Sequence, residues 1–240
     1  MSIRNSLLRT YFARRMKAID RFRRHPDQVQ AEMFRQLIAR GADTKFGRRH
    51  GVAKHLTPEA FAARVGVQDY ESFKPYIERM LAGEKNVAAP GRVTLFARSS
   101  GTTSDRSKFI PVTRESVWWN HTLGMRDVAA VYASAKPQTK IFDGKTLTLG
   151  GSYVRENGAL IGDLSAVLIS QTPFWSGWFR APKMETALIP DFDRKIEGIC
   201  RECTREKITA FAGVPSWNLV LMRRVLELSL IHISEPTRPL

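Results

Sequence analysis

Ten consecutive residues, Ser99-Ser100-Gly101-Thr102-Thr103-Ser104-Asp105-Arg106-Ser107-Lys108, separate two short apolar runs and constrain what this chain can fold into. Before them, Val93-Thr94-Leu95-Phe96-Ala97 alternates and is rich in β-formers. After them comes Phe109-Ile110-Pro111-Val112, then Thr113 at the head of a long helical pattern. The stretch therefore reads as a strand-to-strand loop. Gly101 tolerates positive φ and has no side chain to block an approaching ligand. Backbone N–H groups and the hydroxyls of Ser99, Ser100, Thr102 and Thr103 can then face one anion, with Lys108 supplying positive charge. A solvated hydroxyl-rich turn has the same composition. The string is not a P-loop, because no second glycine precedes Lys108 and no Ser or Thr follows it.

The loop resembles the phosphate loop of adenylate-forming enzymes, which is Ser/Thr-rich, then Gly-Thr-Thr, then a nearby lysine. It departs from many of them in having Ser104 where they carry glycine, and its lysine falls one residue later. With Lys108-Phe109-Ile110-Pro111-Val112-Thr113 attached, the string resembles the auxin-responsive family of acyl-acid amido synthetases, in particular its bacterial relatives. Upstream, Asp69-Tyr70-Glu71, Lys74-Pro75-Tyr76-Ile77-Glu78-Arg79 and Gly83-Glu84 fit the same family. Downstream, Gly213-Val214-Pro215-Ser216-Trp217 does too. The matches occur in the family's order and extend from residue 20 or so to Glu227.

This resemblance implies a two-step reaction. A small carboxylic acid attacks the α-phosphate of ATP, giving an acyl adenylate and pyrophosphate, and the amine of an amino acid then displaces AMP. It implies Ser99, Ser100, Gly101, Thr102 and Thr103 as the nucleotide-binding residues, Lys108 as the catalytic charge, and Mg2+ accompanying ATP. Preorganised donors of this kind stabilise charge where it develops on phosphate oxygens. The helix after the loop helps line the acid pocket in this family, which makes Trp119 a pocket residue and Arg126 a carboxylate partner; the alternative is a packed tryptophan and a solvated arginine. The family's acidic metal ligand and ribose-binding aspartate have no counterpart before Glu227, so no metal-binding residue is assigned. Two other readings stand beside this one: an adenylating acyl-CoA ligase, which shares the loop but wants the usual lysine spacing, and a non-enzymatic basic module for nucleic acid or an anionic surface.

The last possibility arises from composition. The formal charge is +15 over 240 residues. Residues 1–54 hold 14 Lys/Arg against 4 Asp/Glu, so most of the excess lies in the first quarter and no nucleic-acid partner is expected. At 43% hydrophobic residues the chain can bury a sizeable core. No apolar run approaches membrane-spanning length and no secretory leader is visible, so a cytoplasmic location is expected. Cys200 and Cys203 form a C-x-x-C in a charged helical stretch without further ligands nearby, and read as two free thiols.

The fold class expected is α/β, an incomplete N-terminal part of the adenylate-forming fold. A helical region spans 1–90 and a partial ATP/AMP-binding α/β domain spans 91–227. Residues 228–240 resemble a translated sequencing adapter, so the natural sequence is expected to stop near Glu227, as the N-terminal fragment of a longer protein. Apolar spacing predicts one amphipathic helix over Ile3 to Arg24 and a second from Pro26 to Gly41. Arg48-Arg49-His50-Gly51 reads as a loop, and Thr57-Pro58-Glu59 as a helix start. Asp69 is a helix cap, with the helix interrupted and restarted at Pro75 and closed by Gly83. Thr113 begins a helix to about Ala135. Lys145–Gly150 and Ala159–Gly162 suggest a hairpin or two adjacent strands. Asp193–Arg205 reads as a helix, Ile208–Gly213 as a buried strand, and Pro215 as the start of a last helix.

Overall fold

A computed structural model describes residues 3–99 and 107–234. Helices come first: α1 (Ile3–Ala13), α2 (Met16–Arg24), α3 (Pro26–Gly41), α4 (Lys45–Arg49), α5 (Pro58–Val65) and α6 (Tyr70–Leu81). Strands β1 (Leu95–Arg98) and β2 (Phe109–Val112) follow, then a π-helical segment, Ser116–Thr122, running into α7 (Leu123–Ala135). Next come β3 (Lys145–Leu149), β4 (Tyr153–Glu156), β5 (Ala159–Gly162), α8 (Leu164–Ser170) and β6 (Arg180–Ala181). The order closes with α9 (Met184–Ala187), α10 (Phe192–Cys203), β7 (Ile208–Gly213) and α11 (Pro215–Ser234). A helical N-terminus followed by mixed strands and helices is the α/β class expected from the sequence.

Local chemistry sets most helix starts. Thr57, Asp69 and Asp191 each accept a backbone N–H three residues on, at 3.2, 2.7 and 2.8 Å, satisfying donors that the first helical turn leaves free. Pro26 and Pro58 occupy first turns, where a missing N–H costs nothing.

Several expectations are corrected. The helix expected from Ile3 to Arg24 is two, broken at Arg14 and Arg15, where the Arg15 guanidinium turns to a bidentate pair with Asp127 at 2.6 and 3.0 Å. Arg48 and Arg49 belong to a helix, not a loop: buried Thr44 caps it, accepting Gly47 N–H at 2.9 Å and donating to Gly41 O at 2.6 Å. Pro75 interrupts nothing, because α6 runs through it. Lys145–Gly150 and Ala159–Gly162 lie in separate sheets. The partner of β5 is instead β4, joined to it by Asn157 (φ 49°) and Gly158 (φ 75°), the left-handed pair a tight two-residue hairpin demands. β7 is an edge strand whose Phe211 is exposed, so it is not the buried strand expected. Of the tail 228–240, residues 235–240 lie outside the described residues, and α11 extends to Ser234.

Contacts divide the chain into two compact units, each discontinuous in sequence. One comprises 11–135 and 154–162 and carries a four-stranded sheet of order β2-β1-β5-β4. Here β1 is antiparallel to β2 and parallel to β5, and Phe96, Val93, Ile161, Ile77 and Met80 pack into its core with Val87. The other contains the described residues of 1–10, 136–153 and 163–240, with a parallel sheet of order β6-β3-β7. Its core joins Leu147 and Leu149 of β3 to Ile196, Ile199 and Cys200 of α10 and Leu221 of α11. At the carboxyl end of β3, the buried Lys195 ammonium donates to Gly150 O and Gly151 O, both at 2.7 Å.

Candidate functional site

The Ser99–Lys108 stretch connects two antiparallel strands whose last paired residues are Arg98 and Phe109. Its neck is closed by its own ends. Ser99 N–H donates to Lys108 O at 2.9 Å, and Lys108 N–H donates to Ser99 Oγ at 3.3 Å. The strand-to-strand reading of the loop is therefore correct at both ends. Ser100, Gly101, Thr102 and Thr103, the other residues assigned to nucleotide binding, lie outside the described residues.

Lys108 is held by α6. Its ammonium stands 5.2 Å from the centre of the Tyr70 ring, and the Tyr70 hydroxyl accepts Phe109 N–H at 2.9 Å. One tyrosine thus lies under the Lys108 ammonium and fixes the first residue of β2. In the sequence Tyr70 stands out only within the family-like string Asp69-Tyr70-Glu71, which does not indicate which side chain meets the loop. Asp69, the cap of α6, has its carboxyl held below the ordinary range, first by the hydrogen bonds from Ser72 and further by the charge of Lys108. Among the described residues Lys108 forms no ion pair. A lysine over an aromatic face keeps its N–H donors available, because the ring quadrupole attracts the charge without accepting all three protons.

On the helix after the loop, Thr113 caps as expected, accepting Ser116 N–H at 3.0 Å. Its next turns are wider than an α-helix, over Ser116–Thr122, and π segments inside helices recur at functional sites. Trp119 lies in this segment and is half exposed. Arg126 sits in α7 with its guanidinium 4.9 Å from the Tyr11 ring and 6.0 Å from the Trp118 ring. Among the described residues its buried Nε has no hydrogen-bond partner. The bidentate Arg15–Asp127 pair holds the neighbouring residue of α7. The tryptophan that touches Arg126 is thus Trp118, while Trp119 leaves about half of its surface open.

Among the described residues no group of three or more His, Cys, Asp or Glu could hold a metal ion. Cys200 and Cys203 are free thiols; burial pushes Cys203 up to about 11, with the carboxylates of Glu202 and Glu206 adding to the effect. Such a thiol stays protonated at neutral pH and is a poor nucleophile.

Residues 15–197 match the N-terminal domain of the GH3 family. The chain is 33% identical over 106 residues to "Probable indole-3-acetic acid-amido synthetase GH3.2" of Oryza sativa subsp. japonica; the match covers 44% of this chain and 17% of the relative. It is 28% identical over 103 residues to "Indole-3-acetic acid-amido synthetase GH3.3" of Arabidopsis thaliana, covering 42% and 17%. Its fold is similar to the solved structure "GH3.15 acyl acid amido synthetase", with a TM-score of 0.62 at 17% identity, over 83% of this chain and 36% of that one. The same enzyme in complex with 2,4-DB gives 0.65 at 18% identity. The chain therefore spans well under half the length of the proteins it matches.

Proposed function

Because the chain belongs to the GH3 family, we propose that it carries the ATP-handling part of an acyl-acid amido synthetase, which adenylates a small carboxylic acid and transfers it to an amino acid. The observation that carries this reading is the β1–β2 connection, tied at its neck by Ser99 and Lys108, with the Lys108 ammonium free of ion pairs among the described residues.

In the first step the acid's carboxylate oxygen bonds to the α-phosphorus of ATP, the α–β phosphoanhydride bond breaks, and pyrophosphate leaves. Lys108, with the hydroxyls of Ser99, Ser100, Thr102 and Thr103 and the backbone at Gly101, would offset the negative charge spread over the phosphate oxygens. Mg2+ enters with ATP and screens its charge. In the second step the amino acid's nitrogen attacks the acyl carbon, the bond to AMP breaks, and the amine loses its extra proton. Trp119 and Arg126 are assigned to the acid's side of the reaction, Arg126 as a partner for the carboxylate. Its unpartnered Nε and the open half of Trp119 support that assignment.

The test is direct binding. Titrating the 240-residue chain with Mg-ATP should give saturable binding that Lys108→Ala weakens by about tenfold or more, the loss of one charge-assisted hydrogen bond. Unchanged affinity in that variant would remove Lys108 from the site. The metal and ribose residues implied by the family are not found before Glu227, so these 240 residues alone are expected to release no AMP when acid and amino acid are added together. Measurable turnover would show that the chain needs nothing further.

A further inference from the structure

The compact unit built on the parallel β6-β3-β7 sheet contains a cleft of about 1200 Å3 that the amido synthetase reading leaves unused. Lys145, the first residue of β3, and Arg180 and Ala181, the two residues of β6, line it, together with Pro182 and Lys183 just after β6 and the last turn of α10.

Among the described residues, the Nε and Nη1 atoms of Arg180, one of the residues lining the cleft, are buried and have no hydrogen-bond acceptor. Unsatisfied buried donors are uncommon because each forfeits the hydrogen bonds that water gave it, and a guanidinium forfeits more than a neutral group. The charges around it do not resolve this. Glu206 is engaged by Lys145 at 2.6 Å, and Glu202 accepts from Lys183 N–H at 2.9 Å and from the Thr186 hydroxyl. Glu185 acts on Arg180 only through space, against the stronger effect of burial, which pushes the guanidinium below its ordinary value. Arg201 and Arg205 also line the cleft and form no ion pair among the described residues, so the surplus charge is positive despite the carbonyl end of α10. The remaining wall is apolar, from Phe174, Met184 and Val225.

We propose that this cleft is a second ligand site, for a small organic oxyanion whose head meets Arg180 and whose apolar body lies against Phe174 and Met184. Carboxylates and phosphate monoesters share that chemistry, and the volume suits a small molecule. The site belongs to a different compact unit from the loop of β1 and β2 and does not rest on the amido synthetase reading.

Calorimetric titration of the 240-residue chain tests this with three probes: hexanoate, hexyl phosphate and inorganic phosphate. One of the two alkyl anions should bind at one per chain, and more tightly than inorganic phosphate; whichever binds better identifies the head group. Arg180→Gln should weaken it by about tenfold or more, and Phe174→Ala by about threefold to tenfold. Phe174 is 91% exposed, so its variant keeps the fold even where Arg180→Gln does not. Mg-ATP affinity should be unchanged in Phe174→Ala. The proposal is overturned by the absence of saturation up to about 10 mM of either alkyl anion. It is equally overturned by binding that Phe174→Ala and Arg180→Gln leave intact, or that Lys108→Ala abolishes.

Discussion

Tyr70 does two separable things, and substitution can divide them. Its hydroxyl accepts Phe109 N–H, and its ring lies under the Lys108 ammonium. Tyr70→Phe keeps the ring and strands one backbone donor, so it should destabilise by about 1 kcal/mol while leaving Mg-ATP affinity near the parent value. Tyr70→Leu removes the ring as well and should weaken nucleotide binding too. Equal affinity in the two variants would mean that the aromatic face does not support Lys108. The adjacent Asp69 gives a pH signature. Its folded carboxyl ionises below the ordinary value of 3.8, chiefly because Ser72 donates to it, so the unfolded chain takes up the proton first. The stabilisation is therefore complete above pH 3.8 and is lost as pH falls through the lower folded value. Asp69→Ala should lower Tm by about 2–4 °C at neutral pH, with the gap to the parent protein closing in acid. A gap independent of pH would show that the carboxylate is not the stabilising group.

Among the elements, α4 is the one whose existence depends most on a single buried side chain. It has five residues, too few to persist on propensity alone. Thr44 ties the first turn of α4 to the end of α3, and Gly47 passes so close to α3 that an added Cβ would lie 2.1 Å from Gly41 O. Thr44→Ala should cost about 1–2 kcal/mol by urea unfolding, and Gly47→Ala about 1–3 kcal/mol through overpacking. If Gly47→Ala is neutral, α3 and α4 can separate at little expense. Local signals found the caps at Thr57, Asp69 and Thr113 because a cap is a bond between residues three apart. They did not find α4, whose cap is a buried threonine stabilised by a neighbouring helix. The same limit hid the break between α1 and α2, since the Asp127 that draws Arg15 is 112 positions away. Nor could apolar spacing distinguish π from α turns over Ser116–Thr122: both place the same residues on one broad face, and the difference is one of hydrogen-bond register.

Charge belongs to the whole molecule. Of the 14 basic residues in the first 54, Arg15, Arg21, Arg23, Arg40, Lys45 and Lys54 form ion pairs among the described residues. The exposed pairs add little stability, yet each removes a positive charge from the far field. Mg-ATP affinity, governed by a few contacts, should therefore change only modestly between low and moderate salt. A chain that functions by binding duplex DNA would lose affinity with a log–log slope of about −0.9 per phosphate contacted. Measuring both against potassium chloride separates the readings, and tight DNA binding with a steep slope would favour the basic-module alternative. No helix among the described residues is long and apolar enough to cross a membrane.

The sequence alone determined the family-like motifs, the strand–loop–strand around Ser99 and Lys108, the capped helix starts and the α/β class, because each is written in residues close together along the chain. Only the tertiary structure decided which strands pair, since nothing within the short strands β3 and β5 says which sheet each joins. It alone brought Tyr70 beneath Lys108 and, among the described residues, left Nε and Nη1 of Arg180 without an acceptor in the wall of a cleft. Those arrangements depend on packing between residues far apart in the chain, where burial and the satisfaction of polar groups outweigh local preference.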